Sequence, residues 1–592
     1  MKKSITILTA TLLLVGQVSF AQDANYSQQL INQVESIKQS VSVSSKQEKL
    51  HKHCLTAYLS EAKKNWEKLT PAAKDYFKVL MVRPTLTGPE VVFYSTYFDI
   101  HYTLSGDDAV DPTDNDANGY PDYIEQLAQI ADYVYQTDSA RGFTEPPADG
   151  AGGSDYYDIY LLGPNNSDMS GAYGFVAPEN NIGDNPKSTT ITEIYASTSW
   201  MALRSDEYVS LGGIDGLKVT AAHEISHSFD MGYNANLSFF FMEAKGPWEE
   251  QLIYPTNPDN FQYLMEIFGT PDVAMNWDKV IDGSGYDLHM YGAWIFNKYL
   301  TERTNDNIIR KILERCIACN NDYACEITGY NNELTANWSS DFETIFGNWL
   351  IANVVMDNDP GYTPYIYSNA NAYGNYIDSS GGLNIEDVIT YTGTTVNWDS
   401  DIDGNERLQR LSGDYLEINP NQNFSLTFTP NNPIAELDLV LLKVNSTSGT
   451  LTVQPSVVSG NNLIINVTDQ ANYDGFVAII GRLDADVADT LSEQYTLTID
   501  GVTGVPNVSN IEKISIYPNP VKDKLILSGL SDKENFTFEI KDVLGKKVYS
   551  SVSIVEHERF IADVTDLDNG VYFLTLTDSN KKSKTHKVII SK

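Results

Sequence analysis

An α+β fold class is predicted by the order in which strand and helix patterns occur along this chain of 592 residues. Alternating apolar and polar residues come first and predict strands at Val91–Tyr94, Phe98–Tyr102, Tyr157–Leu161 and Thr190–Tyr195. Helical patterns follow, around His223, Glu243 and Cys325 and over Phe342–Val355. Strands and helices in separate runs favour an α+β layout, and the length allows several domains.

The N-terminus has the pattern of a secretory signal peptide. Lys2 and Lys3 give a basic start, residues 5–18 are apolar, and Ser19-Phe20-Ala21 offers a small-residue cleavage site. We therefore assign residues 1–21 to a signal peptide. No later apolar stretch is long enough to cross a bilayer, so no transmembrane segment is expected.

Residues 22–85 are rich in Gln, Lys, Ser and Glu, and their apolar residues have helical spacing, as in Leu30, Ile31, Val34 and Ile37. This pattern predicts a helical N-terminal region or propeptide.

The segment His223-Glu224-Ile225-Ser226-His227 carries the chemistry of a zinc hydrolase. On a helix, positions four apart share a face, so His223 and His227 can hold one Zn²⁺ while Glu224 lies beside the water that the metal activates. The neighbouring residues are uncharged, as a buried helix requires. A catalytic zinc usually has three protein ligands, so a further carboxylate or His is expected downstream.

A downstream apolar run, Phe239–Met242, ends at Glu243, and Glu249 and Glu250 follow it. Here the chain resembles the gluzincin metallopeptidases, in which a second helix carries a Glu as third ligand and another Glu seven positions later. The resemblance implies a zincin-like domain over 86–368, with Glu243 as third ligand in preference to Glu249 or Glu250. Pro247 is expected to break the helix.

A metallopeptidase also needs a donor to stabilise the oxyanion that forms when water attacks a carbonyl. Gluzincins use a Tyr or His C-terminal to the third ligand. By role and order, this resemblance implies His289 or Tyr291. A packing helix rich in Tyr is an equally good interpretation of either residue alone.

The segment 114–125 matches the template of a calcium loop at every position. Gly119 provides the sharp turn, and the expected ligands are the side chains of Asp114, Asp116, Asn118, Asp122 and Glu125 with the backbone carbonyl of Tyr120. Four converging carboxylates would repel one another without a cation. We therefore predict one bound Ca²⁺ with a structural role, since no second loop of equal quality is visible.

The chain has four cysteines. Cys316, Cys319 and Cys325 are close in sequence, and export permits a disulfide within this group, although the pairing is open. Cys54 stands apart. It is either a structural cysteine or a propeptide thiol that occupies the open position of the zinc and keeps the enzyme latent.

Two β-rich regions end the chain. Residues 369–508 contain short alternating runs separated by Asn- and Gly-rich turns, which predict an antiparallel β-sandwich that acts as a spacer or binds a ligand. Residues 511–592, with Ile514-Ser515-Ile516-Tyr517-Pro518-Asn519-Pro520 and Leu567-Asp568-Asn569-Gly570-Val571-Tyr572-Phe573-Leu574, resemble the C-terminal sorting domain of type IX secretion substrates. That resemblance implies an immunoglobulin-like β-sandwich, recognition by the type IX machinery, and export through the periplasm and outer membrane of a Gram-negative bacterium.

The acidic composition agrees with this destination. Against 79 Asp and Glu residues there are 40 Lys and Arg, a net charge of −39, which argues against nucleic acid or anionic lipid as a partner. The sequence therefore predicts an exported zinc metalloendopeptidase that acts on a protein or peptide substrate. The alternatives are a catalytically inactive, calcium-stabilised surface adhesin on the same scaffold, and a zinc hydrolase with a different substrate.

Overall fold

The computed structural model of this chain describes residues 23–38, 53–148, 154–166, 169, 172–206, 213–277, 288–400, 408–431, 437–483, 493–502, 514–519, 521–528, 530, 535–542, 546–554, 559–577 and 583–592. The signal peptide expected at 1–21 lies outside these residues. The described residues up to 385, together with those in 408–414 and 481–492, form one compact unit, and the remainder form a second.

A six-stranded sheet forms one layer of the first unit. Its strand order is β1-β5-β6-β4-β3-β2, with β1 (His53–Cys54), β2 (Val91–Tyr94), β3 (Phe98–Tyr102), β4 (Tyr157–Leu162), β5 (Ala172–Gly183) and β6 (Ala196–Arg204). Strands β3, β4 and β6 are parallel, whereas β2 and β5 run antiparallel to their neighbours β3 and β6. At the edge, β1 pairs in parallel with β5.

Three of the four predicted strands are confirmed, and the one at Thr190–Tyr195 is wrong. The strand of that region begins at Ala196, and all of β6 is buried, so its sequence lacks the alternation of a half-exposed strand. The alternating residues before it lie outside the sheet, with Ile194 exposed. Strand β5 was not predicted because Gly174 and Pro178 are residues typical of turns.

Helices make up the rest of this unit. In chain order they are α1 (23–38), α2 (Thr56–Lys64), α3 (Pro71–Leu80), α4 (Asp122–Ala140), α5 (Gly213–Tyr233), α6 (Phe239–Ile253), α7 (Leu264–Phe268), α8 (His289–Gly292), α9 (Trp294–Arg303), α10 (Ile308–Arg315), α11 (Tyr323–Asn337), α12 (Phe342–Val355) and α13 (Ala370–Ser380). Short 3-10 turns lie at Trp66–Lys68, Asp259–Tyr263 and Pro360–Tyr362. None of these described helices is both long and apolar enough to span a bilayer.

The N-terminal region is helical, as predicted, and packs within the same unit. Leu30, Val34 and Ile37 of α1 are buried, in agreement with their spacing. Helix α2 is buried from Thr56 to Ala62 and contacts β5 and α6. The region is therefore joined to the sheet by extensive packing.

Helix α6 continues through Pro247, so the expected break does not occur. Nearly every residue of α6 is buried, on all sides of the helix. Tertiary packing on the whole surface of α6 stabilises the helix enough to offset the backbone hydrogen bond that a proline removes.

The boundary before the β-sandwich also differs from the expected position at 369. Residues 370–380 form α13, which buries Ala370, Tyr373 and Ile377 at helical spacing, and the first sandwich strand begins at Asp387.

The cysteine group forms the disulfide Cys319–Cys325, while Cys316 and Cys54 are free and buried.

The second unit contains a β-sandwich with two five-stranded sheets, ordered β13-β14-β10-β16-β8 and β12-β11-β15-β9-β7. The strands are β7 (Asp387–Tyr391), β8 (Val396–Asp399), β9 (Ser412–Pro420), β10 (Phe424–Pro430), β11 (Leu437–Asn445), β12 (Thr450–Pro455), β13 (Val457–Ser459), β14 (Asn462–Val467), β15 (Gly475–Arg482) and β16 (Tyr495–Gly501). Alternate residues of β10 are buried, as its sequence pattern predicts.

The C-terminal residues form two further sheets, ordered β17-β18-β21 and β20-β19-β22-β23. Their strands are β17 (Ser515–Tyr517), β18 (Lys524–Ser528), β19 (Asn535–Asp542), β20 (Lys547–Ile554), β21 (Arg559–Asp563), β22 (Gly570–Thr577) and β23 (Ser583–Ile590). Side chains from both sheets share one apolar core, which includes Leu525, Leu527, Phe536, Phe538, Leu574 and Leu576. The β-rich C-terminal domain is therefore as predicted.

Candidate metal centre

Two helices bring the predicted zinc ligands together. Helix α5 presents His223 and His227, one turn apart, and α6 crosses it with Glu243. The Oε2 atom of Glu243 lies 3.4 Å from Nε2 of His223 and 3.8 Å from Nε2 of His227. Both Nε2 atoms and both carboxylate oxygens are buried without a hydrogen-bond partner. Buried polar atoms of this kind are costly unless a further group binds them, and a metal ion fits that requirement.

The thiol of Cys54 completes the cluster. One candidate ligand atom from each of Cys54, His223, His227 and Glu243 lies within 4.8 Å of all the others. In the described part of the chain, these four side chains form a group of His, Cys and Glu residues that is close enough to hold a metal ion. Two imidazole nitrogens, a carboxylate and a thiol are all zinc ligands.

Further carboxylates orient the two imidazoles. The Nδ1 atom of His223 lies 2.8 Å from Oε1 of Glu250, and Nδ1 of His227 lies 3.3 Å from Oδ2 of Asp230. Such contacts fix the ring orientation and leave Nε2 free to bind a metal. Lys245 in turn contacts Asp230, with Nζ 3.0 Å from Oδ1.

The three glutamates of α6 therefore have different positions. Glu243 faces the two Nε2 atoms, Glu250 contacts the opposite side of His223, and Glu249 pairs with Arg141. Only Glu243 of the three lies where a third ligand is needed. The three positions differ because the glutamates lie on different turns or faces of α6.

The charges at the site depend strongly on one another. Burial lowers the pKa of His223, but Glu243 and Glu250 outweigh it and raise this pKa to about 10. Burial raises the pKa of Glu243, but the two imidazoles outweigh it and lower this pKa to about 2. The pKa shifts of His223 and Glu243 are opposite because a buried carboxylate and two buried imidazoles stabilise each other's charged forms.

Glu224 lies beside the cluster, on the same helix as the two histidines. It is buried, and burial raises the pKa of its carboxyl above the ordinary value. A raised pKa makes a carboxylate a better proton acceptor near neutral pH. Gly174 of β5 lets the strand approach closely, because a Cβ at that position would lie 2.6 Å from Cγ of Glu224.

Of the two predicted oxyanion donors, the structure brings Tyr291 to the site and not His289. The Tyr291 hydroxyl accepts a hydrogen bond from the backbone N–H of Cys54 at 3.3 Å, and its ring faces that of His223 at 6.2 Å. Burial raises the pKa of Tyr291, so its hydroxyl keeps the proton that it would donate. His289 points instead towards Thr270, with Nδ1 3.4 Å from Oγ1, because α8 directs the two side chains differently.

A small cavity adjoins the cluster, lined by Cys54, Tyr173, Thr220, His223, Glu224, Glu250, Tyr263 and Tyr291. The sequence did not indicate Tyr173, Thr220 or Tyr263 as site residues. Tyr263 is in a 3-10 turn and Tyr173 in the unpredicted strand β5, so no local pattern marks either residue. Thr220 was detectable, since it lies three residues before His223 and therefore shares its face of α5.

The predicted calcium ligands lie in one exposed loop that ends in the first turn of α4. The carboxylate of Asp114 accepts hydrogen bonds from the backbone N–H groups of Asn118 at 3.2 Å and Gly119 at 2.9 Å. Glu125 accepts one from the Asn118 side chain at 2.7 Å, and Gly119 has a φ of +96°, as the template requires. Hydrogen bonds, chiefly from Gly119, lower the pKa of Asp114.

Gly246→Ala is expected to displace His223 and to weaken metal binding. A Cβ at residue 246 would lie 2.3 Å from Cε1 of the His223 ring, so the ring or α6 must shift, at a cost of about 1–3 kcal/mol. Thermal unfolding and zinc content measure the two effects. Gly347→Ala in α12 is the matched control, since its Cβ would meet nothing within 4 Å, and it is expected to retain zinc. Equal zinc binding by both variants would contradict the close approach of α6 to His223.

The C-terminal part of the chain matches a known protein family. Residues 515–591 match the secretion system C-terminal sorting domain. No curated protein matches the chain in sequence.

Three solved structures are weakly similar to this chain. One is a β-glucuronidase of Parabacteroides merdae with glycerol in its active site, at 12% identity over 30% of this chain and 27% of that one, with a TM-score of 0.15. Another is an FMN-binding β-glucuronidase from Facaelibacterium prausnitzii L2-6, at 14% identity over 34% and 39%, with a TM-score of 0.16. A third is the BSP domain of a biofilm-associated protein, at 9% identity over 28% and 45%, with a TM-score of 0.12. The chain thus spans less than half of each, and these scores support no argument about fold or function.

The sorting domain has a direct consequence for the location of the protein. Its residues coincide with the two C-terminal sheets, from β17 to β23. Proteins with this domain are handled by the type IX secretion machinery. The chain therefore carries a type IX C-terminal sorting domain and is exported to the cell surface or beyond it.

Proposed function

We propose that this protein is an exported zinc-dependent metalloendopeptidase with a zincin-like catalytic domain. The observation that carries the proposal is the buried convergence of His223, His227 and Glu243, whose ligand atoms lack hydrogen-bond partners, next to the buried carboxyl of Glu224. Two imidazoles and a carboxylate from two crossing helices fit the donor set of a catalytic zinc. A zinc ion there would supply Lewis acidity, lowering the pKa of water and polarising a carbonyl.

The remaining chemistry belongs to side chains of the chain itself. Glu224 would accept the proton of the attacking water and deliver it to the leaving amine. Tyr291 would donate a hydrogen bond to the oxygen on which negative charge develops. Glu250 and Asp230 would hold the imidazoles of His223 and His227 in place during the reaction.

A peptide is favoured as the substrate by the edge of the sheet. Strand β5 passes beside Glu224 and already pairs with an extended segment of the chain, β1, in which Cys54 pairs with Gly174. An edge strand that binds one extended segment through backbone hydrogen bonds can bind another. This favours an extended polypeptide over a compact small molecule.

The first test measures metal content and hydrolysis in the exported full-length chain. Zinc is determined by mass spectrometry of protein purified without added metal. Cleavage of an unstructured protein is measured with and without a zinc chelator, before and after a cut at a protease recognition sequence inserted between Val82 and Arg83. Val82 is exposed and follows α3, whereas Arg83 is held by Asp158 and Glu179, so the cut breaks the covalent link between the N-terminal segment, which includes β1 and α1–α3, and the rest of the unit.

One zinc per chain and chelator-sensitive cleavage are expected. Protein without zinc, or zinc-loaded protein that cleaves nothing after the N-terminal segment is removed, would contradict the proposal. Retained binding to proteins or glycans in that case would instead indicate the adhesin.

Calcium is proposed as a second metal, in the loop 114–125. Added Ca²⁺ is expected to raise the unfolding temperature of the full chain, since a ligand at 100 times its Kd stabilises the folded state by about 2.7 kcal/mol. Asp116→Asn should remove most of this shift because the loop loses a carboxylate ligand. Asp111→Asn is the matched control, a partly exposed acidic residue just outside the template, and it should keep the shift. A shift that Asp116→Asn leaves unchanged would place the calcium elsewhere.

A further inference from the structure

We propose that the Cys54 thiolate is a fourth protein ligand of the metal centre, and that the segment 53–64 thereby keeps the site closed. The proposal rests on the zinc site of the proposed function and adds its regulation. In the closed state the metal would have four protein ligands, as structural zinc sites do, and would lack the open position that catalysis needs.

The position of the thiol supports the first part. The Sγ atom of Cys54 lies with the ligand atoms of His223, His227 and Glu243 in a group whose members are all within 4.8 Å of one another. Those histidine and glutamate atoms are buried and have no hydrogen-bond partner of their own. A structural cysteine usually lies in an apolar pocket. The Cys54 thiol instead lies beside polar atoms that have no hydrogen-bond partner.

The thiol proton has an acceptor nearby. Binding as a thiolate releases the S–H proton while the Cys54 sulfur forms the bond to the metal. The Sγ atom of Cys54 lies 3.4 Å from Oε2 of Glu224 and 3.0 Å from Oγ1 of Thr56. Glu224 would therefore accept the proton of the thiol. In the open site the same carboxylate would accept the proton of the attacking water.

The segment around Cys54 occupies the proposed substrate path. Strand β1 forms the edge of the sheet beside β5, where His53 pairs with Ala172 and Cys54 with Gly174. Two residues further on, Thr56 accepts a hydrogen bond from the backbone N–H of Val176 at 2.8 Å. The Thr56 hydroxyl lies 3.3 Å from Oε2 of Glu224. One short segment thus covers the metal ligands, the base and the sheet edge together.

Packing of α2 holds this segment in place. Its residues from Thr56 to Ala62 are buried, and Tyr58 packs edge-on against Phe239 of α6 with ring centroids 4.9 Å apart. Lys63 donates to the Ser197 hydroxyl of β6 at 3.1 Å. Because these contacts close the site, the full-length chain is latent, and activity requires removal of the segment.

The experiment detects the bond between the Cys54 thiolate and the metal by its absorption, independently of hydrolysis. The full chain is loaded with Co²⁺ in place of zinc, since a thiolate bound to Co²⁺ gives a charge-transfer absorption in the near ultraviolet and nitrogen or oxygen ligands do not. The wild type is expected to show this band, and Cys54→Ser should lose it while still binding cobalt. Cys316→Ser is the matched control, because Cys316 is the other free and buried cysteine, and it should keep the band.

Latency is tested with the chain cut between Val82 and Arg83. Chelator-sensitive hydrolysis should appear in proportion to the loss of the thiolate band as the N-terminal segment is released. Cobalt-loaded wild type without the band would overturn the ligand assignment, and hydrolysis with the band intact would overturn latency. Complete loss of the band without hydrolysis would refute the proposed peptidase and leave the ligand assignment standing.

Discussion

Replacement of Glu224 by Gln is expected to reduce peptide hydrolysis by about 10²–10⁴-fold, the usual contribution of a general acid–base group. Gln has nearly the same shape but cannot accept the proton of the attacking water. Metal binding should persist, because the proposed ligands His223, His227 and Glu243 are unchanged. The variant therefore separates proton transfer from zinc binding.

The measurement uses the chain cut between Val82 and Arg83, with rates on an unstructured protein normalised to the zinc content of each sample. Glu326→Gln is the matched control. Glu326 is a buried glutamate of α11 that accepts hydrogen bonds from Ser238, outside the cluster. The control should hydrolyse the substrate at the wild-type rate. A Glu224→Gln variant with zinc bound and normal activity would refute the role of Glu224 as base.

Replacement of Glu243 by Gln is expected to remove most of the bound zinc. The change replaces the anionic side chain of a proposed ligand by a neutral amide at a fully buried position, and the proposed site then keeps only two imidazoles and the Cys54 thiol. Hydrolysis should fall with the zinc content. The unfolding temperature should also fall, because the folded chain loses the stabilisation that a bound metal provides.

Glu250→Gln is the informative comparison. Glu250 contacts Nδ1 of His223 and is not placed as a ligand, so its loss should weaken zinc affinity by about 10–100-fold without removing the site. Competition with a chelator of known affinity measures both variants. If Glu250→Gln proved the more damaging of the two, Glu250 and not Glu243 would be the third ligand.

Local features of the sequence were sufficient for much of the fold and for the centre of the site. The spacing of His223, Glu224 and His227 depends only on the period of a helix, so these three residues could be placed on one face before any tertiary contact was known. The patterns of the calcium template and of the C-terminal sorting domain likewise consist of residues that are contiguous in the sequence. Alternation also located β2, β3 and β4, because each has a pattern that distinguishes it from its surroundings.

Other features depended on tertiary packing. Strand β6 is buried over its full length and has no alternation to detect, and β5 contains Gly174 and Pro178, which are typical of turns. Helix α6 passes through Pro247 because its neighbours cover it on every side. Local propensity was misleading at these positions because burial outweighs it.

The sequence by itself determined the chemistry available to this protein: a pair of histidines and a glutamate on one helix, an acidic loop, and a terminal sorting domain. Only the tertiary structure decided which distant residues join them. It places Glu243, rather than Glu249 or Glu250, beside both histidine Nε2 atoms, and Tyr291, rather than His289, next to His223. It also brought Cys54 to the histidines across 169 residues of chain. The physical reason is that contacts between distant segments depend on how helices cross and strands pair, which no local spacing encodes.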